Sequence, residues 1–437
     1  MEARKLVQTS ELYTNFYTFE GVVKALNGIG LVVNEGESYG LVGESGCGKS
    51  VAVRSIMRIV QAPGRIDGGK IVLYLNAQDK ERGIDIVERS ETYMESIRGN
   101  DISMIFQEAS TSLNPVLSIG EQVGESFHLH RDRQMLEETI GELDGELAKG
   151  GASPVRAWKM FQRAMFRAEL DQLGRFEEHV QGIDNELYAL EERTDSEAEA
   201  RKAHLNHKRD GIRERAVGIQ IVRRIPFLRR YRRRLDRSVL RHVVELLRSL
   251  GIPNPENVAA RYPHELSGGM QQRIVIAMAL ACHPTLLIAD EPTSNLDVTI
   301  QAQIVELIKQ LKKTSISSVL YITHDLGLVA EICDRVTVMY AGDVEETAVV
   351  RELFHNPLHP YTKGLMASVP KIQQVGELAM IPGSVPNLIA PPSGCRYHPR
   401  CPQVMEICPR EKPPLIERSP GHWVACHLYS KDGDDAL

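Results

Sequence analysis

The sequence predicts an α/β protein: a mixed sheet with an antiparallel β subdomain and a helical subdomain, enlarged by a helical insertion and ending in a small Cys-rich unit. Three observations carry that expectation. Thr285–Asp290 (TLLIAD) and Ser318–Thr323 (SVLYIT) are short apolar runs separated by a helical pattern, VTIQAQIVELIKQLKK, the alternation of a parallel sheet covered on both faces. The first 75 residues instead alternate apolar and polar positions, with turn signals at Glu35-Gly36 and Gly68-Gly69, as short antiparallel strands do. From about His130 to Asp236 the period becomes helical and the charge density high, acidic at first and ending in RRIPFLRRYRRRLDR, which predicts a long hairpin or small bundle.

A chain of 437 residues exceeds one average domain. The shifts in pattern divide it into 1–129, an insertion at 130–236, a continuation at 237–356 and a proline-rich end at 357–437. With 42% hydrophobic and 25% charged residues the balance is globular, and the net charge of −6 argues against nucleic acid as the main partner. No run reaches the roughly 20 apolar residues of a membrane span. The start, MEARKLVQTSELYTNF, lacks the apolar core of a signal peptide. A location in the cytoplasm is expected.

The chemistry begins at Gly43-Glu44-Ser45-Gly46-Cys47-Gly48-Lys49-Ser50, between the apolar strand SYGLV and the helical stretch VAVRSIMRIV. Glycines let successive N–H groups turn around a β-phosphate and the helix N-terminus adds its positive end. Lys49 reaches the β and γ oxygens, and Ser50 ligates Mg²⁺. Farther on, Asp290 and Glu291 leave the end of a buried strand, where Asp290 can hold the Mg²⁺ shell and Glu291 can polarise an attacking water.

Leu266-Ser267-Gly268-Gly269-Met270-Gln271-Gln272-Arg273 resembles the signature of ABC-type ATPases. The resemblance implies that Ser267, Gly268 and Gly269 serve an ATP held by the opposite subunit of a head-to-tail pair. It also implies that Gln107 (MIFQE) links Mg²⁺ and the attacking water to the membrane partner, that His324 (YITHD) contacts the γ-phosphate, and that Ser294-Asn295-Leu296-Asp297 couples the two sites. An aromatic ring upstream of the phosphate loop should stack on adenine: Phe16 by alignment, with Tyr17 and Phe19 as alternatives. Val51 stands where many relatives carry a hydroxyl residue.

Further stretches, RGNDISMIFQEASTSLNPVLSIGEQ and NPLHPYTKGLMASVP among them, resemble ATPase subunits of dipeptide and oligopeptide importers. That subfamily also serves oligosaccharide and nickel uptake. The resemblance implies a second ATPase subunit, a paralogue or another copy. It further implies two membrane-spanning permease subunits, an extracytoplasmic substrate-binding protein and a place on the cytoplasmic face of the membrane. A soluble ABC ATPase of translation or repair is the alternative class. Cys395, Cys401, Cys408 and Cys426 crowd the last tenth of the chain, and four thiolates can ligate either a [4Fe–4S] cluster or Zn²⁺; the subfamily resemblance implies the cluster. The insertion departs from the family pattern. Its Arg-rich end, Arg223 to Arg241, is expected either to touch anionic headgroups or an acidic partner, or to balance the acidic first half.

Overall fold

The computed structural model describes residues 4–75, 83–107, 109–149, 154–190, 195–210, 230–293, 297–314, 318–368 and 380–429. The chain forms two compact units, Met1–Glu88 with Asp101–Gln107 and Pro284–Leu437, and Arg89–Asn100 with Glu108–His283.

The first unit holds the strands. In chain order they are β1 (Lys5–Thr18), β2 (Gly21–Asn34), β3 (Ser38–Val42), β4 (Gly64–Leu73), β5 (Ile84–Asp85), β6 (Ile102–Ile105), β7 (Leu286–Asp290), β8 (Ser318–Ile322), β9 (Arg335–Tyr340), β10 (Asp343–Val349), β11 (Ile416–Ser419) and β12 (His422–Val424). One sheet, ordered β2-β1-β4-β5, is antiparallel, as the alternating pattern predicts. β1 and β2 are single 14-residue strands rather than several short ones. Register shifts absorb the irregularity, and one of them spans Glu11, whose φ is 47°.

The main sheet runs β11-β12-β10-β9-β3-β8-β7-β6. Its β9-β3-β8-β7-β6 half is parallel, and β3, β7 and β8 are buried along their whole length. That burial is why their sequences read as continuous apolar runs. The expected separate C-terminal unit is not separate. β11 and β12 extend this sheet past β10 by antiparallel pairing, so the proline-rich tail shares the core of the first unit.

A register shift between Val344 and Glu346 breaks the alternation of β10, and both Glu345 and Glu346 point inward, 2% and 0% exposed. Glu346 survives burial because its carboxylate accepts the Leu358 and His359 N–H groups, each at 2.8 Å, and pairs with His422 Nε2 at 2.7 Å. Glu345 lies 3.1 Å from His359 Nε2.

The second unit is helical among its described residues. In the insertion, Asp132–Ala148 and Pro154–Ala189 form the expected pair and Ser196–Asp210 packs on the longer helix. Helix Arg233–Ser249 buries Leu235, Val239, Val243 and Leu247 at four-residue spacing. Its other face spends charge inside the unit: Arg234 pairs with Glu146, Arg241 with Glu142, and His242 lies 2.7 Å from Glu138. The described part of the Arg-rich segment therefore balances the acidic helix before it; Arg223 to Arg229 lie outside the described residues, as do Gly150 and Gly151. Ser118 and Glu121 cap helix Ile119–His130 reciprocally. Among the described residues no helix is long and apolar enough to cross a membrane.

Glu346→Ala would leave three buried donors without an acceptor. We expect it to lower the unfolding free energy by about 3 kcal/mol or more, read as a reduced denaturation midpoint; an unchanged midpoint would show that this carboxylate does not hold the tail to β10.

Candidate functional site

The loop after β3 is shaped by glycine. Gly43 has φ 151°, and a Cβ there would strike the Met339 carbonyl; Gly48 has φ 101°, and a Cβ there would meet the Ala25 carbonyl. Gly48 is also the N-cap of helix Lys49–Ile56, so the helix's free N–H groups open onto the loop. Lys49 is buried, and its ammonium donates to the Gly43 and Glu44 carbonyls at 2.7 and 3.0 Å. This puts a cation at the centre of a ring of backbone amides, a geometry suited to a polyphosphate.

β7 delivers both carboxylates. Asp290 is buried and accepts the Ser50 hydroxyl at 2.9 Å. Burial raises its carboxyl above the usual range, against the Ser50 hydrogen bond and the nearby Arg54 and Lys49 charges. A hydroxyl and a carboxylate converging beside a phosphate loop are hard oxygen donors fit for Mg²⁺. Glu291 follows in left-handed backbone, φ 46°, a conformation disfavoured for a non-glycine residue. Its N–H bonds to the Ile322 carbonyl at 2.9 Å. Its carboxylate accepts from Gln107 Nε2 at 3.0 Å and lies 3.2 Å from His324 Nδ1. Strand ends position all three: Gln107 follows β6 and His324 follows β8.

These groups line one cavity of about 620 Å³ with Phe16, Val23, Ala25, Ser45, Gly46, Gly48, Lys49, Ser50, Val51 and Leu388, within the usual range for small-molecule sites. Phe16 reaches it from β1, its ring lying where a Cβ on Gly64 would be. Tyr17 is occupied elsewhere: its hydroxyl donates to Asp67 at 2.8 Å and Arg65 stacks on its ring. Phe19 is fully exposed. Neither lines the cavity.

Ser267 occupies the N-cap position of helix Gly268–Leu280, yet its side chain makes no capping bond. Ser267 and Gly268 are exposed and Gly269 is half-buried, an open helix start with first-turn amides to offer. Asp297 caps the next helix, accepting the Ile300 N–H at 3.0 Å; Ser294, Asn295 and Leu296 lie outside the described residues.

Three groups near the loop escaped sequence reasoning. Arg400 forks onto the Glu44 carboxylate at 2.6 and 3.1 Å, the Tyr361 hydroxyl accepts the Glu44 N–H at 2.9 Å, and Leu388 lines the cavity. All come from the C-terminal stretch; Tyr361 lies in NPLHPYTKGLMASVP, but that stretch carries no signal of a contact with the phosphate loop.

The four C-terminal cysteines are all free thiols. Cys395, Cys408 and Cys426 are buried and Cys401 is half-buried; Cys395, Cys408 and Cys401 share an apolar cluster with Tyr340, Tyr361 and Tyr397. Cys395 N–H bonds to the Cys408 carbonyl at 2.8 Å. Burial pushes the Cys426 thiol up to about 12, with Cys401 and Cys408 adding to the rise. Burial likewise raises Cys395 and Cys401, each with the neighbouring Cys408 contributing. Thiols are soft donors, and four of them in one region are a set that suits a soft, positively charged group. Among the described residues the three-member group of ligand atoms within 4.8 Å is Glu345, His359 and Cys395, and no three of the four sulfurs close to that spacing. A single tetrahedral Zn²⁺ with bonds of about 2.3 Å would bring its sulfurs to about 3.8 Å.

Comparison with known proteins agrees with this geometry. Residues 26–294 match the ABC transporter family, and residues 345–408 match the oligopeptide/dipeptide transporter C-terminal region. The chain is 35% identical over 435 residues to the dipeptide transport ATP-binding protein DppD of Bacillus subtilis (strain 168), covering 99% of this chain and 97% of that protein. It is 37% identical over 430 residues to the oligopeptide transport ATP-binding protein AppD of the same strain, covering 98% of each. A putative peptide import ATP-binding protein of Brucella ovis is 37% identical over 434 residues, again covering 98% of each. With a phosphate loop, a carboxylate pair and whole-length relatives of one kind, the chain belongs to the ABC transporter family, as one of its ATP-binding, ATP-hydrolysing proteins.

Proposed function

We propose that this protein powers the import of dipeptides or oligopeptides, hydrolysing ATP at the cytoplasmic face of a membrane. The observation that carries the hydrolytic reading is Glu291, turned out of β7 so that its carboxylate meets both Gln107 and His324 inside the nucleotide cavity. The peptide cargo is supported by the match of residues 345–408 and by the names of the relatives.

In this reading the amides of Gly43 to Ser50 cradle the phosphates and Lys49 turns its ammonium from the loop carbonyls to the β and γ oxygens. Ser50, Asp290 and Gln107 would hold Mg²⁺, which when bound would supply positive charge to offset that building on the phosphates. Glu291 accepts the proton of the attacking water while Gln107 orients that water. His324 donates to the γ-phosphate. Phe16 stacks on adenine. The exposed start at Ser267, Gly268 and Gly269 serves the ATP of a second ATPase subunit, head to tail, with Asp297 in the segment that couples the two. Closure around ATP then drives two permease subunits, which receive peptide from an extracytoplasmic binding protein.

For Cys395, Cys401, Cys408 and Cys426 we infer a [4Fe–4S] cluster. The support is chemical: four free thiols, three of them in one apolar cluster, spaced wider than a single zinc ion requires. A bound cluster would cross-link the loop-rich tail by four Fe–S bonds.

Glu291→Gln is expected to lower the ATPase kcat by about 10²- to 10⁴-fold while ATP still binds, and to abolish peptide uptake by vesicles carrying the reconstituted complex; uptake that survives would remove Glu291 from the base role. Lys49→Ala should instead lose ATP affinity, which direct binding titration separates from a loss of turnover. Anaerobically purified protein should hold iron and acid-labile sulfide in equal amounts, with visible absorbance that Cys408→Ser removes. Zinc without sulfide would sink the cluster.

A further inference from the structure

The ABC transporter match ends at residue 294, yet the nucleotide cavity does not. The segment after residue 380 returns to the antiparallel sheet and lies along β2. There the Lys24 N–H donates to the Leu388 carbonyl at 2.9 Å, and the Ile389 side chain occupies the space a Cβ on Gly21 would need. Asn387 accepts the Ile389 N–H through its own Oδ1 at 2.9 Å, an Asx-type turn that fixes the backbone around Leu388. The Leu388 side chain, half-buried, enters the cavity beside Phe16, Val23 and Ala25.

The segment is tied to the phosphate loop as well. Arg400, 8% exposed, donates to the Pro382 and Ile381 carbonyls at 2.8 and 3.4 Å and simultaneously forks onto Glu44 of the loop. A planar guanidinium bonded on one side to the returning segment and on the other to the phosphate loop fixes their spacing. Arg396 adds a bond to the Lys24 carbonyl at 3.3 Å. The segment carrying Leu388 is therefore tied both to β2 and to the phosphate loop.

A purine base presents two apolar faces and gains affinity when both are shielded from water. One aromatic ring shields one face. We propose that Leu388 is a nucleotide-contacting residue that completes the apolar wall of the adenine subsite, so that the C-terminal region takes part in ATP binding; this rests on the reading of Phe16 as the stacking ring. The phosphate contacts come from the loop, and the base enclosure is shared between the hairpin and the tail.

The test is calorimetric titration of the full-length protein, with Mg²⁺, by ATP, ADP and inorganic tripolyphosphate. Leu388→Ala should weaken ATP and ADP about fivefold to tenfold, raise the KM for ATP in step, and leave tripolyphosphate binding unaltered; Leu388→Met should restore affinity. An unchanged ATP affinity in a variant with the parent's unfolding midpoint would overturn the contact. Equal weakening of ATP and tripolyphosphate would overturn it too, because Leu388 would then be supporting the phosphate loop and not touching the base. Phe16→Ala, measured in parallel, keeps the two readings apart. If it binds ATP normally while Leu388→Ala does not, the Phe16 assignment fails and the Leu388 contact stands; the reverse result overturns Leu388 alone.

Discussion

Two neighbouring carboxylates leave one strand, and the site is organised around bringing both of them to the phosphate side. Strand alternation alone would send Asp290 and Glu291 to opposite faces of the sheet, and only one of them would reach the phosphate side. The left-handed turn at Glu291 solves this: Asp290 stays buried against Ser50, and Glu291 swings to Gln107 and His324. That conformation costs energy and needs an enforcing frame. The frame is the parallel pairing of β7 with β6 on one side and β8 on the other, continued by the Glu291 N–H bond to Ile322.

The C-terminal region belongs to the same frame. It closes the edge of the main sheet through β12 and β11, and it secures that attachment with buried, partnered carboxyl groups. The shift in β10 that brings both Glu345 and Glu346 inside would be prohibitive without partners; His359, His422 and two backbone amides supply them. From this base Tyr361 and Arg400 reach the phosphate loop at Glu44. A glutamate that reads in sequence as one more loop residue is, in the fold, the point where the tail takes hold of the nucleotide site.

The catalytic half of the site was legible because its parts carry local signatures. The phosphate loop lies between an apolar strand and a helical period, and the carboxylate pair ends an apolar run; the mixed sheet followed from two different hydrophobic periods. Gln107 and His324 were legible only through their order along the chain. What could not be read was what depends on tertiary placement. β11 and β12 are four and three residues long, too short for a period to show, so the tail read as a separate loop-rich unit. Leu388 and Arg400 sit in no motif, since a leucine after Pro-Asn or an arginine before Cys401 acquires meaning only from the surface it meets. That Phe16 lines the cavity and Tyr17 does not is a matter of strand face, and the Arg65 and Asp67 contacts of Tyr17 show only in three dimensions.

The order of strands in the main sheet sets a sequence of events for the chain as it is made. β3 pairs with β8 and β9, joining Ser38 to Val319 and Tyr39 to Arg335, and β6 waits for β7, joining Ile102 to Leu286. Between them, helices Asp132–Ala148 and Pro154–Ala189 pack on each other as neighbours in sequence. Contacts of short separation form sooner than those that close long loops, so this helix pair can form while β3 and β6 still lack partners. The nucleotide pocket thus comes together across a long stretch of sequence, with Phe16 to Val51 and Gln107 waiting for Glu291, His324 and Leu388.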